Sequence, residues 1–357
     1  MHTIALLALL SATQLPAGPA ADRILIVTLD GLRWQELFGG AQPELISKPA
    51  GGVADTASTL RRYWRETAEA RREALMPFLW GVVAGRGRIL GDSAGGSIVR
   101  VSNGKRFSYP GYNELLSGAP DDRINSNDKI PNPNVTVLEW LNRRPSFQGK
   151  VAAFGSWDVL PFIVNAARSG IHTNGNGPPV SNPSTPVERA LNDLAADLPP
   201  YWGTVRFDAV TMQGALHYLR AWQPRLLYVM LGDTDEWAHE RRYDLYLDAA
   251  ERSDRFIRTM WETVQSLPGY RGRTALIIAT DHGRGSGDDW TDHGREVAAA
   301  ERIWIAVMTP GAVSGERSAV SGNYTQGQFA ATIAALLGLE QEFRAANPKA
   351  APAFFSP

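Results

Sequence analysis

The chain has no cysteine, almost no net charge and no apolar run long enough to cross a bilayer. Without thiols there can be no disulfides, thiolate metal sites or cysteine nucleophiles. With 36 basic and 37 acidic residues the formal charge is −1. No nucleic-acid partner is expected from that balance, and an anionic ligand must be held by local groups. The apolar stretch Ile4 to Leu10, in MHTIALLALLSATQLPAGPAAD, is too short to span a membrane. Small residues and Pro follow it, so residues 1–21 read as a signal peptide cleaved near Ala20 or Ala21, and the mature chain as periplasmic or secreted without a transmembrane segment. Internal repeats, low-complexity tracts and long charge runs are also missing.

What the chain does have is ordinary globular composition, 44% hydrophobic and 20% charged over 357 residues, and a series of short apolar runs. Ile24 to Leu29, Val151 to Phe154, Leu226 to Leu231, Ala275 to Ala279 and Ile303 to Met308 read as strands buried on both faces, the pattern of a parallel sheet covered by helices. Helical periodicity lies between them, most clearly from about His239 to Leu267, and a second amphipathic helix from Gly327 to Leu337 closes the chain. The fold class is therefore α/β, with one domain over residues 22–357. Residues 165–203, rich in Pro, Gly and Asn with a helix from Val187 to Leu198, read as a surface insertion and a potential lid.

Ligands of open parallel sheets bind beyond the carboxyl ends of the strands. There this chain places Asp30-Gly31, Ser156-Trp157-Asp158, Gly232-Asp233-Thr234-Asp235 with His239, and Thr280-Asp281-His282-Gly283. Each acidic residue alone makes a good turn or helix cap. Together, carboxylates crowded at one sheet edge would repel one another unless cations were present. Asp235 and His239 share a face if helical. Of the six histidines, His239, His282 and His293 fall in these segments, whereas His2, His172 and His217 read as surface or packed residues. Imidazole with carboxylate and no sulfur suits zinc, manganese or iron better than calcium. In FSYPGYNELLSG, Ser108 reads as a helix N-cap before Pro110, and equally as a hydroxyl placed where backbone N–H groups could hold a phosphoryl oxygen.

ILIVTLDGLRW, FSYPGYNELLSG, DTDEWAH, IIATDHG and the later His293, taken in order, resemble the metal-site pattern of the alkaline phosphatase superfamily, in the style of its phosphodiesterase/nucleotide pyrophosphatase branch, over roughly residues 24 to 309. The resemblance implies a three-layer sandwich and a site for two divalent ions, zinc or alternatively manganese. Asp30, Asp281, His282 and the Ser108 oxygen would hold one ion; Asp235, His239 and His293 would hold the other. Asp292 would then be a loop or supporting residue. In such sites, with ions about 4 Å apart, one ion activates the nucleophile and the other the leaving oxygen.

By the same resemblance Ser108 would attack phosphorus and form a phosphoseryl intermediate, with Asn127, in RINSNDK, donating to a non-bridging oxygen and Lys129 supplying charge to a monoester. The sequence departs from the branch in carrying Ser where Thr is usual, and in separating His282 from His293 by only eleven residues. Tyr112 stands where sulfatases carry Arg, which argues against sulfatase chemistry. The expectation is a metal-dependent hydrolase of small-molecule phosphate esters, monoester or diester. A phosphomutase of the superfamily and a non-catalytic metal- or anion-binding protein are the alternatives.

Overall fold

The computed structural model describes residues 20–310 and 321–354. The N-terminal segment read as a signal peptide lies outside the described residues up to position 19, as does His2. Among the described residues ten strands run in chain order: β1 (Arg23–Leu29), β2 (Gly87–Leu90), β3 (Ser97–Arg100), β4 (Val151–Gly155), β5 (His172–Gly175), β6 (Leu226–Leu231), β7 (Thr274–Ala279), β8 (Arg302–Ile303), β9 (Ile305–Met308) and β10 (Gly322–Thr325).

Seven of them form one sheet in the order β2-β9-β7-β1-β6-β4-β5, and the other three a small sheet, β10-β3-β8. The contiguous strands β7, β1, β6, β4 and β5 are mutually parallel, while β9 runs antiparallel to both β7 and β2.

Alternation along β1 explains the layers, because successive side chains point to opposite faces of a strand. Leu25, Val27 and Leu29 join one apolar core, shared with the helix Tyr243–Ser266. Ile24 and Ile26 join the other, shared with helices Ser108–Ser117, Val137–Asn142 and Gln328–Leu336. On Tyr243–Ser266 the buried Tyr246, Leu247, Ala250, Ile257, Met260, Trp261 and Val264 recur at helical spacing. Each large apolar side chain so buried contributes about 2 kcal/mol. The result is the expected helix–sheet–helix sandwich.

Register sets up the site. Leu29 pairs with Leu231 and Thr28 with Ala279, so β6, β1 and β7 end level with one another. Whatever follows them emerges side by side, at interstrand spacings of about 4.8 Å.

Three readings of local structure are corrected. The helix read from about His239 to Leu267 begins only at Tyr243 and runs to Ser266, and His239 instead ends a separate helix, Asp233–His239. Between them Arg241 takes a left-handed backbone (φ 52°), and its N–H and that of Arg242 return to Ala238 O and Trp237 O. Ile303 to Met308 is likewise divided: Ile303 belongs to β8 of the small sheet, and Trp304, buried with its indole N–H on Leu32 O, separates it from β9. Finally, segment 165–203 is not wholly peripheral, because it supplies β5, the edge strand of the main sheet. Its helix, Pro186–Asp197, does lie exposed, opened by a capping box of Thr185 and Glu188.

Candidate metal centre

Asp30 follows β1, Asp235 and His239 lie on the helix after β6, and Asp281 and His282 follow β7. Ser108 is brought to them from another layer. Its helix is buried along its whole length, and Gly111 lets it rest on the end of β7, since a Cβ there would lie 2.5 Å from Asp281 O. Ser108 does not cap this helix. It is the first helical residue, Phe107 holds the cap position, and its Oγ lies 3.3 Å from His282 Nε2.

Around that hydroxyl the ligand-type atoms form two groups sharing His282: Asp30, Asp281 and His282, and Asp235, His282 and His293, with each group's donor atoms within 4.8 Å of one another. His282 Nε2 stands 3.2 Å from Asp30 Oδ1, 3.6 Å from Asp281 Oδ2 and 3.8 Å from Asp235 Oδ1. His239 approaches from the more exposed side. Its Nε2 is 3.1 Å from Asp235 Oδ2 and 3.1 Å from His293 Nε2.

The donors fit divalent cations by a test internal to the protein. Asp30 Oδ1 and Asp281 Oδ2 are buried without a hydrogen-bond partner, and both face His282 Nε2, at 3.2 and 3.6 Å. Their other oxygens are fixed, Asp30 Oδ2 by Tyr112 OH at 2.9 Å and Asp281 Oδ1 by Gly31 N at 3.1 Å. His282 Nδ1 lies 2.9 Å from Gly283 O, which can only accept, so Nδ1 carries a proton and Nε2 faces the cluster, where a cation could take the place of its proton. His239 and His293 bring two imidazole nitrogens together where both cannot donate to each other.

The electrostatics agree. Burial and then the Asp30 charge push the Asp281 carboxyl well above its ordinary range. Burial opposes the charged form of His282, yet Asp281 and Asp30 outweigh it and raise the imidazole to about 9. His239 is lowered, chiefly by burial, and His293 strongly so, by burial and the neighbouring cationic groups.

A pH dependence follows for protein stripped of metal. The folded pKa of His282 exceeds its unfolded value, so its contribution is complete below about 6.5 and is lost as pH rises through about 9. The raised Asp281 acts in the same direction. Chelator-treated protein should lose on the order of 3 kcal/mol of stability between pH 6.5 and 9. Zinc-loaded protein should be nearly flat, because the ion takes the proton's place on the imidazole. Denaturant unfolding at the two pH values checks this; metal-free protein equally stable at pH 9 would contradict it.

Asn127 Oδ1 accepts from Tyr109 N at 3.0 Å, which locates its amide at the first turn of the Ser108 helix. Lys129 is paired with Asp158 at 2.6 Å. Asp233, a possible cap by sequence, instead exchanges backbone bonds with Asp208: Asp208 N donates to Asp233 Oδ1 at 2.9 Å and Asp233 N to Asp208 Oδ2 at 3.0 Å. Asp292 accepts from Thr291 Oγ1 in the loop. His217 pairs with Glu188 and His172 stacks on Tyr218, both away from the cluster.

Three groups escaped sequence reasoning. Tyr112 supports Asp30 in the position noted only for lacking Arg. Glu236, beside Asp235, has a carboxyl pushed up to about 7 by burial against the pull of His239. Arg284, fully buried, contacts Asp235 directly. Arg284 follows the Asp-His-Gly run, but nothing in its spacing distinguishes a buried arginine from a solvated one.

The helix-flanked, mostly parallel sheet and the donors gathered at its edge fit the alkaline phosphatase superfamily. The chain belongs to the type I phosphodiesterase/nucleotide pyrophosphatase family, whose model matches residues 127–349. Asp30 and Ser108 precede that match and join the site through the fold. Solved structures share the architecture at low identity. The lipoteichoic acid synthase LtaP from Listeria monocytogenes has a TM-score of 0.54 at 10% identity, over 90% of this chain and 73% of that one. The C-terminal periplasmic domain of EcEptC from Escherichia coli, in complex with Zn, has 0.53 at 11%, over 94% and 88%. A putative sulfatase from Bacteroides thetaiotaomicron has 0.51 at 13%, over 90% and 71%. No curated protein sequence matches the chain.

Proposed function

We propose that the protein hydrolyses phosphate diesters outside the cytoplasm, using Ser108 as nucleophile at a centre of two divalent ions, zinc or alternatively manganese. The observation that carries the reading is the convergence of two partnerless buried carboxylate oxygens and the His282 Nε2 on the neighbourhood of the Ser108 hydroxyl. Asp30, Asp281, His282 and Ser108 would hold one ion, and Asp235, His239 and His293 the other. Bound there, divalent cations supply positive charge that lowers the pKa of the serine hydroxyl and offsets charge on the phosphoryl oxygens.

The chain's own residues supply the rest. Ser108 Oγ attacks phosphorus in line, forming the P–Oγ bond as the bond to the leaving alcohol breaks and leaving a phosphodiester-linked serine. Water then cleaves the P–Oγ bond, restoring the hydroxyl and releasing a phosphate monoester. Asn127 donates its amide N–H to a non-bridging oxygen. Tyr112 holds Asp30, and the Gly283 carbonyl holds the His282 ring, so neither ligand has to be ordered when substrate arrives.

The Lys129 ammonium favours diesters over monoesters as substrates, because its charge is already balanced by Asp158 and a second phosphate charge would have to break that pair. Purified protein supplied with zinc or manganese should therefore turn over bis(para-nitrophenyl) phosphate with a higher kcat/KM than para-nitrophenyl phosphate. Lys129→Ala should change the diester rate by less than about fivefold, as expected for a half-exposed pair. Faster monoester turnover would remove the diester assignment, and no turnover of either ester with either metal would remove the hydrolase.

A further inference from the structure

Arg284 belongs to neither donor group, yet its guanidinium is lodged against one of them. Its side chain is fully buried, its NH2 bonds Asp235 Oδ1 and, at 3.1 Å, the Asp235 carbonyl, and its NH1 donates to Thr291 O. Gly31 makes the room. Its backbone is left-handed (φ 58°), and a Cβ there would lie 2.8 Å from both Arg284 Nε and Asp235 Oδ1. Being buried, Arg284 can reach neither solvent nor substrate.

The two donor groups consequently differ in charge. Asp30 and Asp281 bring two carboxylates whose second oxygens are held by a tyrosine hydroxyl and a backbone N–H, both neutral. The second group has one carboxylate, Asp235, with one oxygen on a guanidinium and the other 3.1 Å from His239. A divalent cation placed with Asp235, His239 and His293 meets a fixed charge of its own sign, and the carboxylate it needs is already shared. Groups behind a metal ligand usually strengthen it, as a carboxylate does behind a histidine; a cationic donor behind a carboxylate has the opposite sign.

We propose that Arg284 is a positioning residue that orients Asp235 and occupies part of its charge, making the Asp235–His239–His293 position the weaker and exchangeable one of the two metal sites. The inference rests on the two-metal reading above. Its consequence is that the protein loses one ion well before the other as ambient metal falls, keeping the Ser108-side ion.

The test is a titration of metal-free protein with chelator-buffered zinc, read by equilibrium dialysis and elemental analysis and independent of turnover. Wild-type protein should take up two equivalents in two steps at least about tenfold apart in affinity. His293→Ala should abolish the weaker step and keep the tighter. Arg284→Met should tighten the weaker step by about tenfold or more, whereas Arg284→Lys, which keeps the charge, should leave the steps apart. Two equivalents of equal affinity in the wild type, loss of the tighter step in His293→Ala, or no tightening in a folded Arg284→Met would each overturn the proposal. The wild-type and His293→Ala titrations decide it even if Arg284→Met does not fold. Uptake of fewer than two equivalents at saturation would instead overturn the two-metal reading.

Discussion

Replacing Ser108 by Ala is expected to lower kcat for a phosphodiester by a factor on the order of 10³ or more, while leaving KM within a few-fold and the zinc content unchanged. The hydroxyl is buried at the first residue of its helix, 3.3 Å from the shared imidazole, so removing it takes away the attacking atom without opening a large cavity. Metal is retained because Asp30, Asp281 and His282 would still offer three donors to the ion that Ser108 is proposed to touch. Rapid quenching with phosphorus-labelled substrate should trap label on wild-type protein and none on the variant. A variant retaining more than about a tenth of wild-type turnover would show that another group attacks, since nucleophile removal elsewhere is far costlier. A protein that merely captured anions would be nearly indifferent to this change.

His282→Ala should be as damaging to activity, and by a different route. His282 is the one side chain common to both donor groups, within 3.8 Å of Asp30, Asp281 and Asp235. Without it, Asp30 and Asp281 lose the imidazole that faces them, and the proposed centre loses a nitrogen donor. Metal content should fall by at least one equivalent, and activity by a factor on the order of 10³ or more, even with zinc in excess over the wild-type requirement. The stabilisation that bound zinc gives the wild type, about 4 kcal/mol at a thousandfold excess over Kd, should shrink accordingly. Elemental analysis and thermal unfolding with and without zinc measure both effects. Full metal content in a folded His282→Ala protein would show that the carboxylates alone hold the ions.

Much of this was legible because its causes are local. Apolar runs buried on both faces marked β1, β4, β6 and β7, and the polar residues that interrupt them marked the sheet edge where ligands gather. Asp30, Asp281 and His282 follow their strands directly, so reading the strand placed the residue. The parts that escaped depend on contacts remote in sequence. The left-handed turn at Arg241 breaks a helical periodicity that continues unbroken in composition. Trp304 divides a continuous apolar run because its indole finds an acceptor at Leu32, 272 positions away. Arg284 could not be assigned to the interior without knowing that Gly31 and Asp235 make a place for it. Tyr112 looked like an absence until Asp30 was found across from its hydroxyl.

The level ends of β6, β1 and β7 have a consequence for how such a protein can change. Three of the anchoring points inherit their separation from the hydrogen-bond ladder of the sheet, which no surface loop can stretch. Segment 165–203 is attached beyond β4, its helix lies exposed, and it meets the site only at its end, where Tyr201 and Trp202 pack on Trp237. Rebuilding that segment could redirect the molecule to a differently shaped ester while the reactive geometry stayed where the backbone put it.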